Sequence, residues 1–299
     1  MAKKIFNWIM AILFVVVVLV AGYIGISRPG INGTASEDRW NSENNVSSIK
    51  RRGYLRIAVF GDLPPYGWVN SQGKRVGYDV RLARRVAKDL GVKPKFIQVN
   101  ANNRIDTLNS NKADIVLANF TLTPERKSVA SWTKPYMKVS VGVISPKSAP
   151  VTNAKQLKGK SVIVTKGTTA ENYFTKQKGV NLLKFDSKTQ QFNAIKNGRG
   201  AALADDNSYL YAWVKRNPKF TVGIKTIGPN QYISGAVKKG NKSLQKWMDR
   251  EITKLNRESF FTYDYNKELK PYFGKEIRPS DRDCKIVCVR MNDSLNLFL

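Results

Sequence analysis

The 299-residue sequence predicts an α/β fold of two lobes with a hinged cleft between them. From Tyr54 onward, short apolar segments alternate with amphipathic segments of helical period, which is typical of a parallel sheet covered by helices. A second complete set of such segments begins at Ser161, and the chain passes between the two sets twice, near 140–146 and near 230–238. Two lobes that are joined by two crossings can open and close around a ligand.

Residues 1–30 are predicted to be a signal peptide or a membrane anchor. Two lysines precede an uncharged, mostly apolar run from Ile5 to Ser27, and its length fits either a long signal or an uncleaved span. Because the lysines precede the run, everything after Arg28 is expected outside the membrane. Residues 31–52 are polar and contain Gly, Ser and Asn, so we expect a linker that needs no fold of its own.

Residues 53–141 and 235–275 are predicted to form the first lobe. Apolar residues recur at helical spacing over Asp79–Leu90 and again from Leu244 to Leu255, which predicts two amphipathic helices. The other predicted elements are the strands Tyr54–Phe60, Lys95–Val99, Asp114–Ala118, Lys138–Ser145 and Tyr232–Val237, of which the last two reach across the lobe boundaries, and a helix over Ile105–Asn109.

Residues 142–234 are predicted to form the second lobe. Its predicted strands are Ser161–Thr165, Leu182–Phe185 and Ala201–Ala204, and its predicted helices are Thr169–Gln177, Thr189–Asn197 and Asn207–Lys215. Residues 276–299 are a tail of unknown role. It holds the only two cysteines, Cys284 and Cys288, which would lie roughly 13 Å apart in a strand, too far for a disulfide, so we assign them no function.

The composition is strongly basic. Lys and Arg number 51 against 22 Asp and Glu, a formal charge of +29, and residues 1–30 hold only three of the basic residues, so the charge belongs to the exported part. Outside a membrane, anionic lipid headgroups or wall polymers are more available counter-charges than nucleic acid, although a generally cationic proteome would give the same composition. The sequence has no His, which excludes Ser/His/Asp triads, Cys/His dyads and His-ligated zinc. We expect no metal and no cofactor.

Four motifs point to one protein family. They are Gly77-Tyr78-Asp79-Val80, Asn103-Arg104-Ile105, the segment from Ala118 to Arg126 followed by Pro135-Tyr136, and Lys166-Gly167-Thr168-Thr169-Ala170. Together they resemble the extracellular solute-binding proteins, family 3, of polar amino acid ABC importers, over about Gly53 to Gly274. The resemblance implies the type II periplasmic-binding-protein fold and is nearest to the branch that binds aspartate and glutamate. Arg81 stands where the family signature usually has an acidic residue, a position expected to face solvent.

A free amino acid carries a carboxylate and an ammonium group, so its receptor needs a fixed cation and a fixed anion in the cleft. The resemblance gives Arg126 the role of binding the α-carboxylate, which its planar guanidinium can hold through two hydrogen bonds. Thr121 is expected to add a hydroxyl or amide to the same group. Thr168 and Thr169 precede a predicted helix, whose free N–H groups favour an anion, although helix capping alone would explain a Thr there.

Asp206 is expected to bind the ammonium group of the ligand, as the resemblance implies. It follows the predicted strand Ala201–Ala204, at the end that faces the cleft. The neighbouring Asp205 is the competing candidate, and capping of the next helix is an alternative role for either carboxylate. Carbonyl groups near Asn119 would complete the hydrogen bonds of the ammonium.

The choice of ligand side chain depends on Arg104. In the branch that binds acidic amino acids, the Arg of Asn-Arg-Ile meets the distal carboxylate, and Arg104 matches it. Leu63 weakens this expectation because a close relative has Lys at that position, while Lys166 is a further possible source of positive charge. Three aromatic residues, Phe60, Tyr66 and Trp68, are candidates for the apolar wall, although core packing would also explain each of them.

We therefore expect an extracytoplasmic protein that binds L-glutamate or L-aspartate in the cleft and delivers it to a membrane permease of an ABC importer. Glutamine or a broader set of polar amino acids is the alternative ligand, and a cationic adhesin that binds anionic cell surfaces is an alternative function on the same fold. An enzyme is not expected. A dehydratase on this fold would need a general acid or base, whereas the cleft carboxylates are assigned to the ligand.

Overall fold

The structure, a computed structural model, describes residues 44–273. The predicted signal peptide or anchor, most of the linker, and the tail with Cys284 and Cys288 lie outside these residues. None of the helices between residues 44 and 273 is both long and apolar enough to cross a membrane. In the same part of the chain, no three acidic or cysteine side chains are grouped as metal ligands would be.

The described part begins with a helix, α1 (Val46–Arg52), inside the predicted linker. The side chain of Asn45 caps its first turn, and Gly53, with a φ of 77°, ends it in a left-handed conformation. Ile49 is fully buried in the main core. The prediction that residues 31–52 need no fold is therefore wrong for α1, because two capping residues and the buried apolar side chain of Ile49 outweigh its polar composition.

The elements up to residue 146 build one side of the main sheet and follow the predicted order. Strand β1 pairs in parallel with both β5 and β6, while β2, β3 and β4 form a small separate antiparallel sheet. The bounds are β1 (Tyr54–Phe60), β2 (Asp62–Leu63), β3 (Gly67–Val69), β4 (Arg75–Val76), α2 (Tyr78–Leu90), β5 (Lys93–Val99), α3 (Arg104–Asn109), β6 (Ile115–Val116), β7 (Thr121–Leu122), α4 (Pro124–Lys127) and β8 (Ala130–Pro146).

The second set of elements supplies the other side of the sheet and the closing helices. Strand β9 pairs in parallel with β10 and β11, and β11 pairs antiparallel with β8. After a 3₁₀ turn at Ala154–Leu157, the bounds are β9 (Ser161–Thr165), α5 (Thr169–Thr175), β10 (Asn181–Phe185), α6 (Lys188–Lys196), β11 (Ala202–Asp206), α7 (Asn207–Arg216), β12 (Phe220–Lys238), α8 (Lys242–Arg257), α9 (Phe260–Asp264), a π-helical turn at Tyr265–Leu269 and α10 (Lys270–Phe273).

Two long strands connect the lobes. Within residues 44–273 nine strands form one sheet in the order β10-β9-β11-β8-β12-β6-β1-β5, with β7 paired to β12. The central pair, β8 and β12, has 17 and 19 residues and runs through both lobes. The sequence predicted only parts of each, Lys138–Ser145 and Tyr232–Val237, because prolines usually interrupt sheet pairing. Here the strands continue past them with several shifts of register. The predicted α/β architecture of two lobes is confirmed.

Strand β12 contacts the first lobe within the predicted crossing near 230–238. Tyr232 and Ile233 pair with β7 of the first lobe, and the Ser234 backbone N–H donates to the Phe120 carbonyl at 3.0 Å. These contacts begin two residues before the lobe boundary at residue 234, which stays a prediction. The two crossings lie side by side, because Val139 and Val141 of β8 are opposite Gln231 and Ile227 of β12.

Candidate functional site

A small cavity lies between the two lobes, a position that small-molecule sites favour. The structure places all seven of the predicted ligand-binding residues around it; their contacts with a ligand stay a prediction. The lining residues are Phe60, Leu63, Ala101, Arg104, Asn119, Thr121 and Arg126 from the first lobe and Thr168, Thr169, Lys188, Asp205 and Asp206 from the second.

Arg126 reaches the cavity from the short helix α4. Its Nη1 donates to the Thr121 carbonyl at 2.7 Å, and its Nη2 donates to the Gly167 carbonyl of the second lobe at 2.8 Å. The guanidinium lies over the ring of Phe120, 4.9 Å from the centroid. Burial lowers the pKa of Arg126 to about 10, which still leaves it charged at neutral pH. A buried cation that lines the cavity and has N–H groups beyond these two hydrogen bonds suits an anionic ligand group.

Arg104 is bound almost completely by backbone carbonyls. Its Nε donates to Ala101 at 3.0 Å, its Nη1 donates to Ala118 and Asn119 at 3.1 and 3.0 Å, and its Nη2 donates to Gly167 at 3.0 Å. Four of its five N–H groups are therefore used within the protein. Burial, and then repulsion from the other cleft arginine, lowers the pKa of Arg104. One N–H is left for a ligand, too few for the two parallel hydrogen bonds of a guanidinium with a carboxylate.

The two candidate carboxylates have different partners. Asp206 caps α7, and its Oδ1 accepts hydrogen bonds from the backbone N–H and Oγ of Ser208 at 2.9 and 2.5 Å. Its Oδ2 accepts one from Asn119 Nδ2 at 3.2 Å. Burial raises the pKa of Asp206 to about 6. Asp205 forms an ion pair with Lys188 at 2.5 Å, whereas no cationic side chain of residues 44–273 pairs with Asp206. Asp206 is thus the carboxylate that needs a cation, although it also has the predicted capping role.

Asn119 is held in an unusual backbone conformation beside the cavity. Its φ is 41°, and its backbone N–H donates to Asp79 Oδ2 at 2.7 Å, while Tyr136 donates to Asp79 Oδ1 at 3.0 Å. Burial raises the pKa of Asp79 to about 7. The Asn119 carbonyl, the predicted acceptor for the ammonium, already accepts from an arginine of the cleft. Its side-chain Oδ1 is buried and has no hydrogen-bond partner within residues 44–273, so this acceptor is left unused in a residue that lines the cavity.

The two threonines before α5 have different surroundings. Thr168 caps the helix, because its Oγ1 accepts from the Glu171 backbone N–H at 3.1 Å and donates to the Thr165 carbonyl at 2.7 Å. The hydroxyl proton of Thr168 is therefore used within the protein. Thr169 is the first residue of α5 and lines the cavity, with no such cap.

Lys188 is a cleft residue that sequence reasoning missed. It is 3% exposed, and it shares Asp205 Oδ2 with the side-chain amide of Gln191. Its position just before the predicted helix gave no sign of burial, since its partner lies 17 residues away. Lys166, which the sequence offered as an extra cation, is 42% exposed and pairs with Asp186 at 2.9 Å.

The candidate wall residues separate into two groups. Phe60 and Leu63 line the cavity and give it an apolar side. Tyr66 is fully buried behind that wall and reaches the second lobe with its hydroxyl. Trp68 packs against Tyr272, 5.8 Å between ring centroids, and does not line the cavity.

The lobes are in direct contact around the cavity. The Gly167 carbonyl accepts from both cleft arginines, and Asp62 of the first lobe accepts from the backbone N–H groups of Lys188 and Thr189 at 3.1 and 3.4 Å, at the start of α6. A carboxylate at a helix N-terminus is favoured by the free N–H groups there. The structure therefore shows a closed cleft.

Comparisons with known proteins agree with this geometry. The family of bacterial extracellular solute-binding proteins, family 3, matches residues 55–274. The glutamine-binding protein GlnH of an ABC transporter of Bacillus subtilis is 29% identical over 274 residues, which cover 90% of this chain and 98% of GlnH.

Two solved structures are more similar in sequence. The solute receptor for L-cysteine of Neisseria gonorrhoeae is 46% identical with a TM-score of 0.77, and the match covers 79% of this chain and 97% of that one. The cysteine-binding protein of Campylobacter jejuni is 45% identical with a TM-score of 0.78, over 80% of this chain and 98% of that one. None of these three relatives is described as an aspartate or glutamate binder, so the expected place in that branch stays a prediction.

Proposed function

Because the chain belongs to the bacterial extracellular solute-binding proteins, family 3, we propose that it binds a small polar amino acid, L-cysteine before others, in the cleft between its lobes. It is the amino acid-binding component of an ABC importer, with the two-lobe periplasmic-binding-protein fold, and not an enzyme. The ligand assignment is finer than family membership and rests on the surroundings of Arg104.

The constant part of the ligand has a partner for each charge. Arg126, with Thr121 and Thr169 beside it, receives the α-carboxylate. Asp206 receives the ammonium group, and the unpaired Oδ1 of Asn119 accepts another of its hydrogen bonds. These residues come from both lobes, so a bound amino acid is held from both sides.

The variable part of the ligand meets a small space with one apolar side. Because four of the five N–H groups of Arg104 bind carbonyls, that cation is not free to pair with a distal carboxylate. Phe60 and Leu63 form this side, and the small size of the cavity favours a short side chain. A thiol fits such a space better than a carboxylate, because burying an ion without a partner costs several kcal/mol. The similarity to two cysteine receptors supports the same choice.

Calorimetric titration of the full chain with the twenty amino acids, in a reducing buffer, tests the proposal. We expect L-cysteine to bind most tightly and L-serine, which replaces only the thiol, to bind at least about tenfold more weakly. Arg126→Ala should weaken cysteine binding by at least about 100-fold, since it leaves the α-carboxylate buried without a cation. Tightest binding of glutamate or aspartate would restore the acidic ligand predicted from the Asn103-Arg104-Ile105 motif. Tightest binding of glutamine would favour the alternative ligand, and no binding of any amino acid would overturn the proposal.

We also propose that the described domain lies outside the membrane, where its family works, with residues 1–30 as its signal peptide or anchor. Its partner there is the permease of the importer. Protease treatment of intact cells, or of spheroplasts if the cell has two membranes, should digest the domain while a cytoplasmic control protein stays intact. Protection of the domain would contradict this location.

A further inference from the structure

We propose that Tyr66 of the first lobe is a positioning residue for the ligand's ammonium group, and that it acts through Ser208 on Asp206 of the second lobe. The inference rests on the proposed function, in which Asp206 binds that group. No motif pointed to this connection, since Tyr66 and Ser208 are separated by 142 positions.

A short relay of hydroxyl groups connects Tyr66 with Asp206. The Tyr66 hydroxyl forms a hydrogen bond with Ser208 Oγ, and both side chains are buried, with 0% and 1% exposure. Ser208 Oγ lies 2.5 Å from Asp206 Oδ1 and donates to it. Because a hydroxyl has one proton, Ser208 has none left for the tyrosine and accepts from it. The direction of the relay is therefore fixed as long as Asp206 is ionised: Tyr66 donates to Ser208, and Ser208 donates to Asp206.

The other oxygen of the carboxylate is also held from the first lobe. Asn119 Nδ2 donates to Asp206 Oδ2 at 3.2 Å. In the closed cleft the first lobe thus holds Oδ2 directly and Oδ1 through Ser208, which fixes the plane of the carboxylate. Asp206 lines the cavity, so the lone pairs that remain on its carboxylate are available to the ammonium of a ligand. A fixed acceptor loses less entropy on binding than one that must first be ordered.

Tyr66 itself is rigidly placed. Its backbone N–H donates to the Leu63 carbonyl at 2.8 Å, and its own carbonyl accepts from the backbone N–H of Asp79 at 2.9 Å. Its ring meets that of Tyr78 edge-on, 6.3 Å between centroids. Helix capping by Asp206 explains the contact with the Ser208 backbone N–H, but it requires neither the Ser208 hydroxyl nor the tyrosine. The second lobe therefore does not need the relay to cap its helix.

A double-mutant cycle on the full chain tests the relay. Tyr66→Phe and Ser208→Ala should each weaken L-cysteine binding by about 5- to 10-fold, because each removes a hydrogen bond in the chain that ends on a charged group. The affinity of the double variant should be at most about twofold lower than that of the single variant that binds more weakly, since either change alone already breaks the relay. Ser208→Thr, which keeps the hydroxyl, should bind within about twofold of wild type.

Tyr265→Phe is the matched control, because Tyr265 is a buried tyrosine of the first lobe that does not line the cavity. The affinity of this variant for L-cysteine should equal that of wild type. If wild type binds glutamate or another amino acid instead, the cycle is run with that ligand. Unchanged affinity in Tyr66→Phe, or losses that add in the double variant, would overturn the relay while leaving the proposed function intact. Failure of wild type to bind any amino acid would instead overturn the proposed function, and the relay with it.

Discussion

At the scale of single residues, the protonation of Asp206 decides whether the cleft can bind an ammonium group. Burial raises the pKa of this carboxyl to about 6, and a protonated Asp206 has no charge to offer. We expect the affinity for L-cysteine to fall about tenfold between pH 7.5 and pH 5, because at one pH unit below its pKa only about a tenth of a carboxyl is ionised. Titration calorimetry at several pH values measures this.

The same group affects stability in the opposite direction. Because its folded pKa is raised, its contribution to stability is present below about pH 4 and is lost as the pH rises through 6.

Two variants test the predicted pH dependence of binding. Asp206→Asn should bind L-cysteine weakly, with an affinity that changes little with pH. Asp79→Asn is the control, because Asp79 has a pKa of about 7 and titrates at higher pH than Asp206. The affinity of this variant for L-cysteine should still fall between pH 6 and pH 5. A flat wild-type profile from pH 7.5 to 5 would contradict the role of Asp206.

Local motifs predicted which residues lie around the cavity but not how their hydrogen bonds are used. Arg104 and Asn119 were found because they stand in short motifs that resemble those of the family. The carbonyls that accept from Arg104 belong to three separate segments of the chain. The sequence alone therefore could not show how many of them would bind this guanidinium. The buried pair of Lys188 and Asp205 was missed for the same reason, because neither residue alone differs from an exposed one in sequence.

At the scale of elements, the turn between β9 and α5 is where the second lobe meets the first. Gly167 has a φ of 73°, and a Cβ there would lie 2.6 Å from the Asn102 Cα and 2.7 Å from the Ala101 carbonyl oxygen. We expect Gly167→Ala to weaken ligand binding by tenfold or more, because the added methyl group prevents close approach of the lobes.

Gly159→Ala is the matched control for this change. Gly159 also lies in the second lobe with a φ of 75°, but a Cβ there would meet nothing within 4 Å. Both variants carry a left-handed non-glycine residue, which costs roughly 1–2 kcal/mol of stability. Thermal unfolding should therefore show similar losses, while calorimetry should show weaker binding only for Gly167→Ala. Equal affinities of the two variants would contradict the tight approach of the lobes at this turn.

The predicted elements were accurate where periodicity was strong and short where prolines intervened. The strand Tyr54–Phe60 and the helix at Tyr78–Leu90 agree with prediction to within one residue, because alternation and helical spacing are local signals. The long strands β8 and β12 were predicted in part only. Their pairing with each other continues on both sides of Pro135 and Pro229, and this pairing is not visible in either segment alone.

At the scale of the whole domain, the antiparallel strands β8 and β12 carry the chain between the lobes. Their crossings lie side by side. Val139 and Val141 are opposite Gln231 and Ile227, in a stretch where the register shifts repeatedly. A narrow, irregular two-stranded connection resists rotation less than a regular sheet of several strands. The lobes can therefore move about these crossings as rigid bodies, which is a common form of domain closure.

Ligand binding is expected to shift this motion toward the closed form. The proposed carboxylate partner, Arg126, belongs to the first lobe and the proposed ammonium partner, Asp206, to the second, so only the closed cleft would satisfy both ends of an amino acid. Small-angle X-ray scattering should give a smaller radius of gyration with L-cysteine, or with whichever amino acid binds, than without it. Gly167→Ala should show little change, because its methyl group blocks the approach of the lobes, whereas Gly159→Ala should contract as wild type does. An equal radius for wild type with and without ligand would mean that the contacts between the lobes, such as those of Asp62 with the start of α6, already keep the cleft closed.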